Sequence, residues 1–341
     1  MKYIPIIKMK HREISKASYI KTFLSNENIL PFLELRYDFN KKDKNKNIND
    51  FINYTNITKF FLGIPHKPEI VGKGAKLDSN DFLTLANKNT ESYYEKTIGL
   101  FANELCIPVF YVYSDDDVNK APDFIKFGHD KNRKIGILTT PNLSKKLKTC
   151  GLNKEDFIFL DLNSESIKSQ TPNLKELFSN FECKIILLRE NRTRNTYNSS
   201  IELDKNAPLF NDLSTEITND SPLFVKNNIY GFGDYCGFKN DVSIGDIPID
   251  SSEFYPAVAL YQRSTANPYF LGIKSIKKKE DNGFDNLREF VLKRINIIDP
   301  ENKTNILDFL TKEKTRDYAA WNVITQWYYI AVMSIHDSWK D

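Results

Sequence analysis

Five residues whose side chains can do chemistry stand at or near the ends of apolar runs. Lys8 closes Tyr3–Ile7, and Glu34 sits near the end of Ile29–Leu35 with Arg36 just beyond it. Asp161 lies in Phe157–Leu162, Arg189 follows Lys184–Leu188, and Asp234 lies inside Tyr230–Phe238, Tyr-Gly-Phe-Gly-Asp-Tyr-Cys-Gly-Phe. Carboxylates gathered from several strand ends can hold a hard divalent cation such as Mg²⁺ or Mn²⁺. Glu34, Asp161 and Asp234 are the expected metal ligands. Lys8 and Arg189 would offset negative charge developing beside that ion. Arg36, Arg192, Arg194 and Tyr235 would then hold the substrate. The chemistry so composed is metal-assisted hydrolysis of a phosphate-containing compound, a phosphodiester or a nucleotide. The same charges can also pair with one another and close one end of the fold with no ligand.

Other schemes find less in the sequence. The histidines are His11, His66, His129 and His336, with no H-x-x-x-H or H-E-x-x-H spacing, so a zinc hydrolase is not indicated. No G-x-S-x-G elbow is present for a serine nucleophile. Gly72-Lys73-Gly74 lacks the spacing of a phosphate-binding P-loop. Cys106, Cys150, Cys183 and Cys236 are far apart in sequence. They read as free thiols in a reducing compartment, not as a disulfide framework or metal knuckle. Cys236 beside Asp234 can be read as a nucleophile, but a buried structural thiol is the stronger reading.

Positioning the five residues requires strands buried on both faces. Tyr3–Ile7, Ile29–Leu35, Phe60–Ile64, Ile107–Tyr113, Lys134–Thr139, Phe157–Leu162 and Lys184–Leu188 are near-continuous apolar runs. Such runs mark parallel strands covered by helices. An eighth strand near Leu223–Tyr230 would close a (β/α)8 TIM-barrel-like domain, whose chemistry lies at the C-terminal ends of its strands. No G-x-G-x-x-G follows the first strand, which disfavours an open dinucleotide-binding sheet. Asn40–Asp50 reads as an exposed loop, and Asp115-Asp116-Asp117 as a loop or helix start. Asn191–Ser221 is long and polar, with Arg192, Arg194 and Tyr197 near Arg189. The barrel is expected over residues 1–250. Residues 251–341 form a C-terminal α/β extension: a hairpin of Tyr255–Arg263 with Tyr269–Ile276, then helices ending in an amphipathic one over Thr315–Trp339. That last helix either covers the core or presents Trp321, Trp327 and Tyr328 to a partner.

The 341 residues carry 48 basic and 45 acidic side chains, net +3. That balance is too even to demand nucleic acid. The first ten residues lack an apolar core of signal-peptide length. With no apolar stretch of membrane-spanning length, a soluble cytoplasmic protein without membrane association is expected.

The order of several short motifs resembles the bacteriophage beta protein family, the "beta family proteins". They are Tyr3-Ile4-Pro5-Ile6-Ile7-Lys8, Leu30-Pro31-Phe32-Leu33-Glu34-Leu35, Gly233-Asp234-Tyr235 and Tyr255-Pro256-Ala257-Val258-Ala259. The nearest branch is the one often encoded beside a nuclease-fold partner. Met9-Lys10-His11-Arg12 departs from the Gly or Gln usual soon after the lysine. The resemblance implies a barrel-like α/β fold and a setting on phages, mobile elements or near antiviral defence genes. It implies action with a protein partner, with no agreed reaction. Lys8, Glu34 and Asp234 match the family's recurring positions.

Overall fold

The computed structural model describes residues 1–9, 14–35, 44–64, 106–163, 165–189, 206–208, 229–236, 255–262, 269–301, 303–312 and 317–335. Eight parallel strands form a closed barrel: β1 (Lys2–Met9), β2 (Phe32–Leu35), β3 (Phe60–Gly63), β4 (Cys106–Val112), β5 (Gly136–Thr139), β6 (Phe157–Asp161), β7 (Lys184–Arg189) and β9 (Ile229–Asp234), which pairs back onto β1. The expected TIM barrel is therefore present. Of the run expected near Leu223–Tyr230, residues 223–228 lie outside the described residues; β9 begins at Ile229 and carries the first part of the glycine–aromatic motif, Tyr230 to Asp234. Gly233 is required there by close approach: a Cβ would stand 2.2 Å from the Ile4 carbonyl oxygen.

Side chains alternate across each strand and divide the core in two. Inside lie Ile4, Ile6, Phe32, Phe61, Val109, Tyr111, Leu138, Phe157, Phe159, Ile186, Leu188 and Tyr235. Phe61 meets Phe157 and Phe159 edge to face at centroid distances of 4.9 and 4.8 Å. Such aromatic contacts fill the interior, so the barrel is a packed core and not a pore. Outside, Tyr3, Ile7, Leu33, Leu62, Phe110, Ile158, Leu187 and Phe232 face the covering elements.

The helices include α1 (Lys44–Thr55), α2 (Asp115–Asp130) and α3 (Ile167–Asn180). Much of the Asn40–Asp50 run is thus helical and not a loop. The acidic triplet opens α2: the Ser114 hydroxyl caps the Asp117 N–H, and three carboxylates in the first turn favour the positive end of the helix dipole.

The C-terminal region forms a second sheet. β10 (Ala257–Gln262) and β11 (Tyr269–Lys274) are the expected hairpin, and β8 (Asn206–Pro208) adds to β11 from the segment between β7 and β9. The sheet therefore draws on both sides of the expected boundary at residue 250. It is followed by α4 (Gly283–Lys293), α5 (Ile306–Lys312) and α6 (Tyr318–Ile335). Every residue from Val323 to Ser334 is buried. The expected amphipathic helix is instead enclosed, its polar Thr325, Gln326 and Ser334 buried with its apolar side chains. It packs on β10 and on the turn Lys21–Leu24 after β1. Among the described residues no helix is long and apolar enough to cross a membrane.

Candidate functional site

The alternation that builds the two cores also separates the five candidate residues. Lys8 and Glu34 are register partners on β1 and β2. Lys8 is two residues beyond Ile6, and Glu34 two beyond Phe32, both inner-core residues. Asp161 follows Phe159 in the same way. These three share the inner face at the C-terminal mouth. Arg189 and Asp234 are also register partners, on β7 and β9. They follow Leu187 and Phe232, which belong to the outer core. The strand ends were correctly assigned, but Arg189 and Asp234 point away from the mouth.

At the mouth, carboxylates are held by tyrosines from other strands. The Tyr111 hydroxyl donates to Glu34 Oε2 at 2.9 Å. The Tyr113 and Tyr235 hydroxyls converge on Asp161 Oδ2 at 3.2 and 3.4 Å. The Asn163 N–H donates to Asp161 Oδ1 at 2.9 Å. Lys8 Nζ lies 5.2 Å from the centre of the Tyr235 ring, within cation–π range. Glu34 and Asp161 are 5% and 1% exposed, while Tyr113 is 45% exposed and forms the rim. Gly63, on β3 beside Glu34, makes room for this arrangement. A Cβ there would meet the Tyr111 hydroxyl and Phe32 Cε2, each at 2.6 Å.

These tyrosines keep their protons. Burial first, then the Asp161 charge, holds Tyr235 well above the ordinary tyrosine range. Tyr113 is raised by desolvation, then by the charges of Asp161 and Glu34. The mouth thus presents carboxylates that accept protons or hydrogen bonds beside hydroxyls that stay protonated, with Lys8 as the inward cation among the described candidates.

Asp234 is occupied in a different way. Its Oδ1 accepts from the Tyr3 hydroxyl at 2.9 Å and from the Cys236 N–H at 2.8 Å. Its Oδ2 accepts from the Tyr329 hydroxyl of α6 at 2.8 Å. The carboxylate ties β9, β1 and α6 together. The expected metal site of Glu34, Asp161 and Asp234 is not formed, because Asp234 lies on the opposite face of the barrel wall. Among the described residues no group of three His, Cys, Asp or Glu side chains is placed to hold a metal ion. Cys236 is buried with positive φ, 54°, and its Sγ lies 3.4 Å from the Ile6 carbonyl oxygen. Burial, then the Asp234 charge, raises its thiol well above the usual range. It is a structural thiol, not an activated nucleophile.

Arg36, Arg192 and Arg194 lie outside the described residues. Tyr235 was expected as a substrate contact and does face the mouth. Tyr111, Tyr113 and Gly63 were missed. The signal for the tyrosines was alternation along Val109–Tyr113, which places both on the side of Ile107 and Val109. The final helix offers no docking surface through the residues expected to supply one: Trp321, Trp327 and Tyr328 are 2%, 5% and 3% exposed. Trp327 Nε1 donates to the Lys16 carbonyl, and the Tyr328 hydroxyl to the Ile298 carbonyl.

No family model matches the chain, and no curated protein matches it. Several solved structures do. One is a chain of the tryptophan synthase a2b2 complex of Pyrococcus furiosus, 12% identical over 68% of this chain and 86% of that one, TM-score 0.40. Another is a GH113 β-1,4-mannanase, 10% identical over 68% and 86%, TM-score 0.41. A third is the type I 3-dehydroquinate dehydratase of Clostridium difficile, 15% identical over 55% and 74%, TM-score 0.37. At this level of likeness they transfer no function to this chain.

Proposed function

We propose that the barrel mouth is an acid–base site for a small, hydroxyl- or carbonyl-bearing molecule. Glu34 and Asp161 act as proton acceptors. Tyr113 and Tyr235 act as donors, and Lys8 stabilises negative charge developing on oxygen. The observation that carries this reading is the convergence of the Tyr113 and Tyr235 hydroxyls on one buried oxygen of Asp161, beside Glu34 and Tyr111. A barrel mouth lined by groups of both protonation states supports proton transfer, because donor and acceptor are held ready before the ligand arrives. Phosphate hydrolysis has less support than the sequence suggested. Arg189 lies on the outer face, and two inward carboxylates face one inward lysine among the five candidates.

The test is a thermal-shift screen with polyols, sugars, hydroxy acids and keto acids. A ligand at a hundred times its Kd stabilises by about 2.7 kcal/mol. The expected result is stabilisation of the wild type that is lost in both Asp161→Asn and Tyr235→Phe. Equal stabilisation of all three proteins by every active compound would place binding elsewhere and sink the reading. The resemblance to the beta family supports a setting in antiviral defence, with a nuclease-fold partner beside the barrel. Co-purification with the neighbouring gene product tests that setting, and its absence from the eluate at equal expression counts against it.

A further inference from the structure

The opposite end of the barrel carries a second charged constellation. Lys2 lies on β1, Lys59 immediately before β3, Lys134 two residues before β5, and Lys184 opens β7. Alternation puts Lys2 on the side of Ile4, Lys59 on that of Phe61, Lys134 on that of Leu138, and Lys184 on that of Ile186. All four reference residues are in the inner core. Each odd-numbered strand of the first seven thus contributes one lysine to a single layer at the N-terminal rim. Contribution of one layer by alternate strands is how barrel interiors are built, and here that layer is cationic.

The lysines are close enough to act on one another. Glu155, at the inward position before Phe157, receives Lys134 Nζ at 2.7 Å and Lys184 Nζ at 3.1 Å on the same oxygen. These two lysines pull its carboxyl down to about 2. Lys184 Nζ also lies 5.3 Å from the Phe157 ring centre. Lys2 Nζ reaches the Glu27 carbonyl, a neutral partner. Lys59 is exposed and has no ion pair among the described residues. Its ammonium is depressed by partial burial, then by Lys134 and Lys184. Among these described groups, four lysines stand around one paired carboxylate, Glu155. Like charges gathered on one low-dielectric rim repel one another and focus potential toward an anion.

We infer that this lysine layer binds a multivalent phosphate anion, a chain of two or three phosphoryl groups. Alternate strands stand about 10 Å apart, twice the usual strand spacing, which suits several phosphates better than one. Lysine serves phosphate as a point charge and needs no planar fork. The site lies at the far end of the barrel from the mouth and stands or falls independently of the function proposed there.

The test is calorimetric titration with sodium tripolyphosphate at low salt, repeated at higher salt. The wild type should bind with an affinity that falls as salt rises. The double variant Lys59→Gln/Lys134→Gln should bind about tenfold or more weakly, following the loss of two phosphate-facing charges. Lys120→Gln/Lys312→Gln, on α2 and α5, should be unchanged. Glu155→Gln removes the rim's carboxylate and should tighten binding about fivefold. No binding by the wild type, equal loss in the two double variants, or weaker binding by Glu155→Gln would each overturn the inference. A single-stranded oligonucleotide as competitor separates the sources. Displacement of tripolyphosphate, with the same lysine dependence, identifies a nucleic-acid backbone as the ligand. Failure to displace it identifies a free polyphosphate compound.

Discussion

The mouth and the β9–β1 seam are built from the same parts and do different things. Each has a buried carboxylate, tyrosine hydroxyls pointed at it, and a glycine that removes an obstruction. At the seam, Asp234 takes donors from β1, α6 and the turn after β9, so that three parts of the chain end on one side chain. At the mouth, Glu34 and Asp161 take theirs from strand ends and rim, close to a residue that is 45% exposed. The seam tyrosines Tyr3 and Tyr329 are 0% and 1% exposed. The difference teaches that a carboxylate at a strand end is not by itself a site. Which face of the wall it occupies decides whether it can meet a ligand or only hold the fold.

The largest expected effect is at the seam. Asp234→Ala would leave the Tyr3 and Tyr329 hydroxyls and the Cys236 N–H buried with no acceptor from this residue. Each such donor costs about 1–3 kcal/mol. A loss of roughly 3 kcal/mol or more is expected in urea unfolding. Asp161→Asn at the mouth should change stability by less than about 1 kcal/mol, because the amide keeps one acceptor oxygen for its donors. If Asp161→Asn proves as damaging as Asp234→Ala, the mouth is a second lock and the contrast fails.

A smaller effect sharpens the comparison from the glycine side. Gly63→Ala puts a methyl group against the ends of Tyr111 and Phe32. Overpacking of this kind costs about 1–3 kcal/mol. The end of the Tyr111 ring, with its hydroxyl at 2.6 Å and Cε2 at 2.7 Å, must give way together with Phe32 Cε2, so the contact with Glu34 should be lost. In a Tyr111→Phe background the same substitution should cost about 1 kcal/mol less, a coupling that a double-mutant cycle reads directly. Additive costs would show that the hydroxyl is not what Gly63 makes room for.

Much of this was legible in the sequence. Continuous apolar runs announced buried parallel strands, and Lys8, Glu34 and Asp161 were found because polar residues stand out at the ends of such runs. Arg189 and Asp234 were assigned to the mouth by the same signal. Only alternation, counted from a known inward residue, would have separated them, and a run apolar on both faces hides that period. The glycines of β9 give no apolar signal; their role is close approach to β1, a partner more than two hundred residues away. Tyr329 was illegible as a partner of Asp234, since nothing local links the last helix to the barrel's closing strand. The lysine layer was hidden for a related reason. Successive members are 50 to 75 residues apart, and only the closed barrel brings them into one ring.

The smallest expected effect distinguishes the two sets of tyrosines by pH. Burial and then the Asp234 charge hold Tyr3 well above its ordinary value in the folded protein. The unfolded chain releases that proton near pH 10. Above that point the folded state binds more protons than the unfolded state, so stability falls as pH rises and is intact below it. Between pH 10 and 11 one such group removes about 1 kcal/mol. Tyr3→Phe should therefore lose about 1 kcal/mol less than the wild type over that interval, measured by urea unfolding at each pH. Tyr113→Phe should recover less, because a ring 45% exposed is screened by solvent. Tyrosinate absorbance gives the matching observation: the Tyr3 signal should appear only as the chain unfolds. Equal recovery in the two variants would mean that seam and mouth hold their tyrosines alike, and the distinction between lock and site would lose its electrostatic support.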